Sequence, residues 1–368
     1  MSLHQTLTIL TTLLAAGSAV PTPSPTTETS STFPHLNALA QAKGKLWFGS
    51  SIDTTSSSVQ DPTYMSIFNT ASIFGQTTPG NTMKWDYTEP ENGVFDFALG
   101  EETITLAKQS DKKVRCHNLV WTSQLPTWVS EASWTKESLL EVMKAHITKE
   151  ITHYGSDCYS WDVVNEAINY DGSYTDNVFL NVIGEDYVTY AFQYAREAIA
   201  TLGASADIKL FYNDYTISRP GSKVTAVLDL ISKIQAAGDY IDGIGLESHH
   251  TDTYYPSVSD LSTVMNQYAA KGLEIHITEL DVACKSTPCS WSGQLGQAQA
   301  FYNVIHACME NDSCRGMAFW DFNDKYNWIQ PSTNDGEGDA TVLWGNYASK
   351  PALTAVVEAL KGESCSVC

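Results

Sequence analysis

The stretch YSWDVVNE (159–166) shows the pattern that decides the fold. A mainly apolar run is followed directly by the polar pair Asn165 and Glu166. A strand buried in a parallel sheet has no solvent-facing side, so its sequence is a near-continuous apolar run rather than an alternating one. The stretch therefore predicts a buried strand with polar side chains at its carboxyl end.

Seven further segments repeat this pattern on either side, with helical stretches such as SLLEVMKAHITKEITHY (138–154) and YVTYAFQYAREAIATL (187–202) between them. The segments are LWFGSSI (46–52), SIFGQTT (72–78), VRCHNLVW (114–121), IKLFYNDY (208–215), GIGLESH (243–249), EIHITELDV (274–282) and GMAFWDF (316–322). Eight strands, each followed by a helix-sized segment, predict a closed (β/α)8 TIM barrel in a single domain of the α/β class. A doubly wound open sheet is the alternative, but no Gly-rich phosphate loop follows the first strand.

Two glutamates end strands that face each other in such a barrel: Glu166 after the fourth strand and Glu279 at the end of the seventh. Barrel enzymes place their chemistry at this face. Cleavage of a glycosidic bond needs one carboxyl group to protonate the leaving oxygen and a second to attack the sugar or activate water. A gap of roughly 5–5.5 Å between them predicts retention of anomeric configuration, and roughly 6.5–9.5 Å predicts inversion. Because burial of an unpaired charge is costly, two glutamates flanked by apolar strand residues favour catalysis over a solvated surface role.

Further polar residues at the strand ends complete a candidate site. We expect His249 to hydrogen-bond Glu279 and keep it ionised, and Asp281 to fix the tautomer of His249; a purely structural histidine is the alternative. Asn165 is placed to reach the 2-hydroxyl of the reacting sugar. We therefore assign Glu166, Glu279, His249 and Asp281 to catalysis.

The remaining candidates are donors and aromatic walls for sugar binding. His117 and Lys84 offer donors to hydroxyl groups, and Tyr215 is either a stacking platform on the leaving-group side or a packing residue. The indoles at strand ends are expected to form walls for sugar rings, namely Trp121, Trp320 and Trp328. Other indoles are expected to pack in the core, namely Trp47, Trp85 and Trp161.

Charge and the N-terminus restrict partners and location. The formal net charge is −21 and the pI about 4.6, which argues against nucleic acid and anionic membrane surfaces as partners. The apolar run 7–16 and the small residues 17–19 predict a signal peptide over 1–19, although a frayed helix is the alternative. The run is too short to span a bilayer. A Pro/Thr/Ser-rich linker (20–34) and a catalytic barrel (35–368) follow, so we expect a secreted, extracellular monomer.

Eight cysteines are typical of an oxidising compartment. Cys308 with Cys314 and Cys284 with Cys289 are plausible local pairs, and Cys116 with Cys158 would cross-link neighbouring strands. The pairing of Cys365 and Cys368 stays open. A zinc site is the rival interpretation, but no Cys or His spacing supports it, so we expect no metal. Asn311, in Asn-Asp-Ser, is the one N-glycosylation sequon and a candidate glycan site.

Together these segments resemble glycoside hydrolase family 10, typified by endo-1,4-β-xylanases. The matching stretches are TPGNTMKWDYTEP (78–90), HNLVWTSQLPTWV (117–129), WDVVNEA (161–167), YNDY (212–215), GIGLESH (243–249), ITELDV (277–282) and WGNYASKPAL (344–353). They come in the family's order and cover nearly all of residues 40–361. The resemblance implies a (β/α)8 barrel and a retaining double displacement that needs no cofactor, with Glu166 as acid/base and Glu279 as nucleophile.

The resemblance also implies roles for the other candidates. Residues lining the subsite of the attacked sugar would be Asn165, His117, Lys84, Trp320 and Trp328. Asn81 would serve the next subsite toward the non-reducing end, with Gln124 and Trp121 in the same wall. The Cys308–Cys314 pair matches a disulfide common in fungal members, and the signal-plus-linker arrangement suggests a fungal secreted protein.

Three departures from the family's pattern affect specificity more than catalysis. Gly80 stands where the family often has Glu, which should weaken binding one subsite away. Thr122 replaces a common histidine near the acid/base. Glu247 stands where glutamine is usual, and a third carboxyl group should raise the pKa of at least one of the three.

The resulting hypotheses differ in substrate and in class. The first is an endo-1,4-β-xylanase acting on xylan. The second is a related activity on another β-glycoside, either removal of the sugar chain of the glycoalkaloid α-tomatine or cleavage of a β-glucan. The third is a non-catalytic carbohydrate-binding barrel, which would be expected to have lost one of the two glutamates.

Overall fold

The computed structural model describes residues 33–203, 206–238 and 240–368. The expected signal peptide (1–19) and nearly all of the expected linker (20–34) lie outside the described residues and stay predictions. Residues Pro34–Cys368 form one compact unit. None of the helices in the described residues is long and apolar enough to cross a membrane.

Eight parallel strands close into a barrel, as the sequence predicts. The described strands are β1 (Trp47–Ile52), β2 (Gln76–Pro79), β3 (Lys113–Val120), β4 (Cys158–Asn165), β5 (Lys209–Asp214), β6 (Gly243–Leu246), β7 (His249–Thr251), β8 (Glu274–Ala283) and β9 (Cys314–Phe319). Neighbours pair in sequence from β1 to β6, then β6 pairs with β8 and β8 with β9. The pairing of β9 with β1, with Gly316 opposite Trp47, closes the ring.

Two strands differ from the sequence expectation for local reasons. The second strand begins at Gln76 rather than at residue 72, because the N–H groups of Ile73 and Phe74 donate to the carbonyl of Thr70 in a turn. The sixth segment is divided, because Ser248 has a positive φ of 64° and the backbone leaves the barrel there. The short β7 that follows pairs with the upper part of β8 and is not a barrel stave.

Helices occupy the connections between strands. Those in the described residues are α1 (Leu36–Ala42), α2 (Pro62–Phe68), α3 (Trp85–Thr88), α4 (Ala98–Gln109), α5 (Thr127–Ser130), α6 (Lys136–Tyr154), α7 (Val178–Ile183), α8 (Tyr187–Thr201), α9 (Ser222–Gly238), α10 (Val258–Ala269), α11 (Trp291–Met309) and α12 (Pro351–Lys361), with 3-10 turns at Ser57–Gln60 and Gly155–Asp157. Helix α6 starts two residues before its apolar pattern because Thr135 and Ser138 form a capping box. Helix α12 begins with Pro351 and ends at Gly362 in the left-handed conformation, the usual stop signals.

Aromatic packing fills the barrel at the end opposite the predicted site. The ring of His276 stacks on Phe211 with centroids 4.4 Å apart and meets Trp47 edge-on at 4.8 Å. Trp47 is buried, and so are Trp85 and Trp161, so the three indoles assigned to packing do pack. Aromatic side chains therefore occupy this end of the barrel.

All eight cysteines are paired. The disulfides join Cys116 to Cys158, Cys284 to Cys289, Cys308 to Cys314 and Cys365 to Cys368. The first ties β3 to β4, the second and third close short loops, and the fourth resolves the pair that the sequence left open. Asn311 is half-exposed and its side-chain amide donates to Asn266 Oδ1 at 3.1 Å; its glycosylation stays a prediction.

Candidate active site

A cleft of about 690 Å³ opens at the carboxyl ends of the barrel strands. Asp281 is the one predicted site residue outside its lining. The predicted residues that line it are Asn81, Lys84, His117, Trp121, Gln124, Asn165, Glu166, Tyr215, Glu247, His249, Glu279, Trp320 and Trp328. Residues from opposite sides of the barrel therefore meet in one concave site, as the strand pattern predicts.

Glu166 follows β4 in the left-handed region of backbone space, with φ at 54°. Its N–H donates to the carbonyl of Asn213 at 3.0 Å, and Asn165 Nδ2 lies 3.3 Å from its carboxyl oxygen Oε1. Burial, together with the negative charges of Asp214 and Glu279, raises the pKa of Glu166 to about 7. Near neutral pH this carboxyl group is thus poised between its protonated and ionised forms.

Glu279, on β8, lines the same cleft, and its pKa is shifted in the direction opposite to that of Glu166. Burial alone would raise its pKa, but a hydrogen bond from His249 and nearby positive charges, including Arg115, outweigh burial and hold the pKa below its usual range. Its Oε2 lies 3.4 Å from His249 Nε2, and its Oε1 lies 3.4 Å from Arg115 Nη2. This carboxylate is ionised throughout the physiological range.

His249 is held between two carboxylates. Its Nδ1 lies 2.8 Å from Asp281 Oδ1, and the other oxygen of Asp281 accepts from the indole N–H of Trp328 at 2.8 Å. Burial lowers the pKa of His249, but the charge and hydrogen bond of Asp281, reinforced by Glu279, raise it well above the usual value. The ring is therefore an imidazolium at neutral pH, and it donates a hydrogen bond to each carboxylate. Asp281 thus stabilises the charged form of His249, whereas the sequence predicted only that it would fix one neutral tautomer.

Glu247 is the third carboxyl group of the site and is almost fully buried. Its Oε1 lies 3.0 Å from Asn213 Nδ2, and its Oε2 lies 3.7 Å from His249 Nε2. Burial, then the negative charges of Glu279 and Glu166, raise its pKa well above the usual value. The raised pKa favours the neutral carboxylic acid, which would offer a hydrogen-bond donor as a glutamine amide does.

Asn213, on β5, links the polar groups of the site and was not among the predicted residues. Its Nδ2 lies 2.8 Å from Asn165 Oδ1, 3.0 Å from Glu247 Oε1 and 2.9 Å from Glu279 Oε1. Its Oδ1 accepts from Thr278 Oγ1 at 2.8 Å, which fixes the orientation of the amide. The sequence signal was present, because an amide ends the apolar run IKLFYN.

A buried ion pair below the cleft was also missed. Arg115 and Asp162, on β3 and β4, are almost inaccessible to solvent and pair directly. Arg115 also donates to Thr78 Oγ1 at 3.3 Å, and Asp162 Oδ2 lies 2.8 Å from His117 Nδ1. Burial keeps the pKa of His117 below its usual value despite this contact. A charge within an apolar strand such as VRCHNLVW signals such a pair, since a buried charge needs a partner.

A polar wall lies on the β2–β3 side of the cleft. Lys84 Nζ donates to Asn81 Oδ1 at 3.0 Å and to Gln124 Oε1 at 2.6 Å, and it lies 4.7 Å from the ring centre of Trp121. Asn81 in turn donates to Asp53 Oδ2 at 2.6 Å, a residue that sequence reasoning did not include. Burial lowers the pKa of Lys84. The wall thus presents a preorganised set of donors and acceptors of the kind that hydroxyl groups require.

Aromatic side chains complete the cleft. Trp328 is 54% exposed, so its ring is free to accept a ligand. Trp320 also lines the cleft. Tyr215 and Tyr170 meet edge-on with centroids 5.3 Å apart, and Lys223 Nζ lies 3.3 Å from the ring centre of Tyr215. Exposed aromatic faces beside polar groups are suited to sugar rings, which have apolar faces and polar edges.

The other two departures have visible local consequences. A Cβ at Gly80 would make ordinary van der Waals contacts, the nearest with Asp53 Cβ at 3.5 Å, so a side chain would fit at this point of the cleft lining without displacing its neighbours. Thr122 lies outside the cleft lining, and its hydroxyl accepts from Asn177 Nδ2 at 3.4 Å. Gly80 therefore changes the lining of the cleft itself, whereas Thr122 lies outside that lining.

One oxygen each of Glu247 and Glu279 and a ring nitrogen of His249 lie within 4.8 Å of one another. Such a group has the spacing of a divalent cation site. However, metal ligation requires a neutral imidazole, and the pKa of His249 is raised. The hydrogen bonds of Asn213 and His249 account for the spacing of these groups.

Comparisons with known proteins agree with this geometry. The sequence profile described as Glycosyl hydrolase family 10 matches residues 35–359. The chain belongs to this family. It is therefore a glycoside hydrolase, as the carboxyl groups at the strand ends predict.

The most similar relatives and structures include fungal xylanases. The chain is 41% identical over 331 residues to endo-1,4-beta-xylanase D of Talaromyces funiculosus. This alignment covers 90% of this chain and 79% of the relative. The structure of Penicillium canescens endo-1,4-beta-xylanase XylE superposes with a TM-score of 0.88 at 44% identity, over 91% of this chain and all of that one. A family 10 xylanase of Bispora sp. MEY-1, solved with xylobiose, gives a TM-score of 0.85 at 39% identity, over 88% and 99% of the two chains.

Proposed function

We propose that this family 10 hydrolase is a secreted, retaining endo-1,4-β-xylanase. The observation that carries the proposal is the opposite perturbation of two carboxyl groups in one cleft. The pKa of Glu166 is raised to about 7, whereas the pKa of Glu279 is lowered. Pairs of carboxyl groups whose environments separate their pKa values mark the acid and the nucleophile of a glycosidase.

In the first step, the Glu279 carboxylate attacks the anomeric carbon while Glu166 gives its proton to the departing glycosidic oxygen. The C–O bond to the leaving sugar breaks, and a glycosyl ester to Glu279 forms. In the second step, ionised Glu166 takes a proton from water, the resulting oxygen attacks the anomeric carbon, and Glu279 leaves as a carboxylate. The two inversions give net retention of configuration.

The surrounding residues would position both partners. The His249–Asp281 pair keeps Glu279 ionised, and Asn165 is placed to hydrogen-bond the 2-hydroxyl, a contact that strengthens in the transition state. Glu247, as a neutral acid, would donate toward Glu279 or the same sugar. Other groups would bind hydroxyls or stack on rings, namely Asn81, Lys84, His117, Gln124, Trp121, Tyr215, Trp320 and Trp328.

The similarity to xylanases, one of them solved with xylobiose, supports xylan as the substrate. The missing side chain at Gly80 in the cleft lining is the observation that favours a second candidate, a related β-glycoside such as α-tomatine, because it removes a group that could contact the sugar there. Four disulfides support folding in an oxidising compartment and hence secretion.

The test is to incubate the enzyme with linear xylan and with α-tomatine in parallel, and to follow the first product by proton NMR. We expect xylo-oligosaccharides whose new reducing ends are initially β, with α-tomatine intact. The Glu279→Ala variant should lose turnover but still bind xylo-oligosaccharides. Cleavage of α-tomatine but not of xylan would show that α-tomatine, rather than xylan, is the substrate. Products that are initially α-anomers would refute retention. Full activity of Glu279→Ala would refute the assignment of Glu279 as the nucleophile.

A further inference from the structure

A second, smaller pocket of about 260 Å³ adjoins the cleft, and we refer to it as the side pocket. It shares four lining residues with the cleft, namely Tyr170, Thr216, His249 and Trp328. Its own wall includes Ser218, Arg219, His250, Tyr254, Asn334 and Glu337. The side pocket therefore adjoins the cleft at Trp328 and His249, and a group attached to a sugar bound beside Trp328 would lie nearest to it.

Arg219 places a positive charge in this pocket. Its guanidinium lies 4.0 Å from the ring centre of Tyr254, and the side chain is half-exposed. Within the described residues it forms no ion pair and no hydrogen bond with another side chain, in contrast to Arg115 and Arg196, which pair with aspartates. The five N–H donors of this guanidinium are available to a ligand.

The acidic residues of the side pocket have partners of their own. Glu337 pairs with Lys285, and Asp281 bonds His249 and Trp328. Neither carboxylate therefore neutralises Arg219. Although the chain carries a net charge of −21, salt at physiological strength screens charges beyond about 8 Å, so the adjacent groups decide what the pocket binds.

Two buried polar atoms near Arg219 also have no partner. Ser218 is 2% exposed, and its hydroxyl makes no hydrogen bond in the described residues. The Nε2 atom of His250 is buried and unpaired as well, and burial, reinforced by the positive charges of His249 and Arg219, lowers the pKa of His250 to about 3. An unpaired buried polar group is unfavourable, and a ligand with complementary groups would remove that penalty. The pocket thus offers a guanidinium, a hydroxyl and a neutral imidazole to a ligand.

We propose that the side pocket binds a carboxylate-bearing sugar branch, a uronic acid attached to the β-1,4-linked backbone, through Arg219. The proposal rests on the proposed function, since the branch must be carried by a chain lying in the cleft. The planar fork of arginine matches a carboxylate geometrically, and a pyranose ring supplies hydroxyls for Ser218 and His250. Because Trp328 and His249 belong to both cavities, the branched unit lies next to the scissile bond.

The experiment measures kcat/KM at fixed ionic strength on three substrates: glucuronoxylan, the same polymer with its carboxyl groups reduced to alcohols, and linear xylohexaose. We expect the wild type to prefer the acidic polymer over the reduced one. Arg219→Gln should lower kcat/KM on glucuronoxylan about tenfold, to the level of the reduced polymer, and leave the rate on xylohexaose within about twofold. Arg219→Lys should fall between, because it keeps the charge but loses the fork.

Binding measurements separate this proposal from the proposed function. Calorimetric titration of Glu279→Gln with a glucuronyl-substituted xylotriose and with its reduced counterpart should show tighter binding of the acid, abolished by adding Arg219→Gln. The matched control is Tyr254→Phe, which keeps the ring under the guanidinium. Equal binding of acid and alcohol, or an equal loss on linear and acidic substrates in Arg219→Gln, would overturn the proposal. Inactivity of the wild type on xylohexaose would instead refute the proposed function.

Discussion

The backbone at Glu166 places local strain at the cleft. A non-glycine residue at φ 54° is unfavourable, and such conformations cost of order 1–3 kcal/mol. Three other non-glycine residues lining the cleft share it, namely Gln124, Thr216 and Asp321. Such strained conformations persist only where the surrounding structure fixes the backbone. Here the strained residues line the cleft, so the strain accompanies the placement of their side chains at the site.

The pH dependence of catalysis follows from the two carboxyl groups. Glu166 must be protonated for the first step, and its pKa of about 7 predicts that kcat/KM falls as pH rises through about 7. Glu279 must be ionised, and since its pKa is below the ordinary value of 4.5, the acid limb lies below pH 4.5. The measurement is kcat/KM against pH for a phenyl xylobioside, whose poor leaving group needs a proton.

A dinitrophenyl xylobioside provides the control, because its leaving group departs without protonation. With this substrate the alkaline limb attributed to Glu166 should disappear, while the acid limb of Glu279 stays. If the alkaline limb is identical for both substrates, its cause is not the protonation of the leaving group, and the acid/base role of Glu166 is wrong.

Helix α6 carries a buried acid away from the cleft. Glu150 is fully buried, and burial raises its pKa to about 8 from an ordinary value of 4.5. The folded state therefore binds a proton at pH 7 that the unfolded state releases. The stability associated with this proton is complete below about pH 4.5 and is lost as pH rises through about 8.

Glu150→Gln removes this pH dependence while keeping the shape of the side chain. We expect the variant to be more stable than the wild type by about 3 kcal/mol at pH 7, because the wild type must hold a proton there. The difference should vanish below about pH 4. Urea unfolding at the two pH values measures it, and Glu141→Gln, at an exposed position of the same helix, is the matched control. A gain of equal size at both pH values would show that the effect is unrelated to protonation.

Elements with strong local signals were predictable from sequence. Segment 159–166 corresponds to β4 within one residue at each end, and segment 138–154 lacks only the first two residues of α6. The late start of β2 and the separate strand β7 were not predictable, because a turn at Thr70 and a positive φ at Ser248 depend on packing against other strands. In the site, strand ends indicated Glu166 and Glu279, whereas Asn213 acquires its partners only when three strands from distant parts of the chain come together.

At the scale of the whole molecule, the barrel has one sealed end and one open end. The stack around His276 closes the lower end, and the cleft opens at the other. Because every strand runs in the same direction, each contributes its carboxyl-terminal residues to the same rim. Closure of the ring is therefore a condition for the site, since β8, which carries Glu279, is adjacent to β9, which completes the ring with β1.

Gly316 tests the dependence on closure. It lies opposite Trp47 where β9 meets β1, and a Cβ there would lie 2.3 Å from the Trp47 ring atoms Cε2 and Cζ2. The indole is buried and packs edge-on against His276, so any shift of the ring would disturb that contact. Gly316→Ala should therefore destabilise the fold by about 1–3 kcal/mol, the usual cost of overpacking a core. Gly345→Ala, where the nearest atom would be Lys325 Cβ at 3.5 Å, is the control for adding a methyl group. Urea midpoints for both variants provide the measurement, and equal midpoints would show that the β1–β9 seam accommodates the extra volume and does not limit the stability of the barrel.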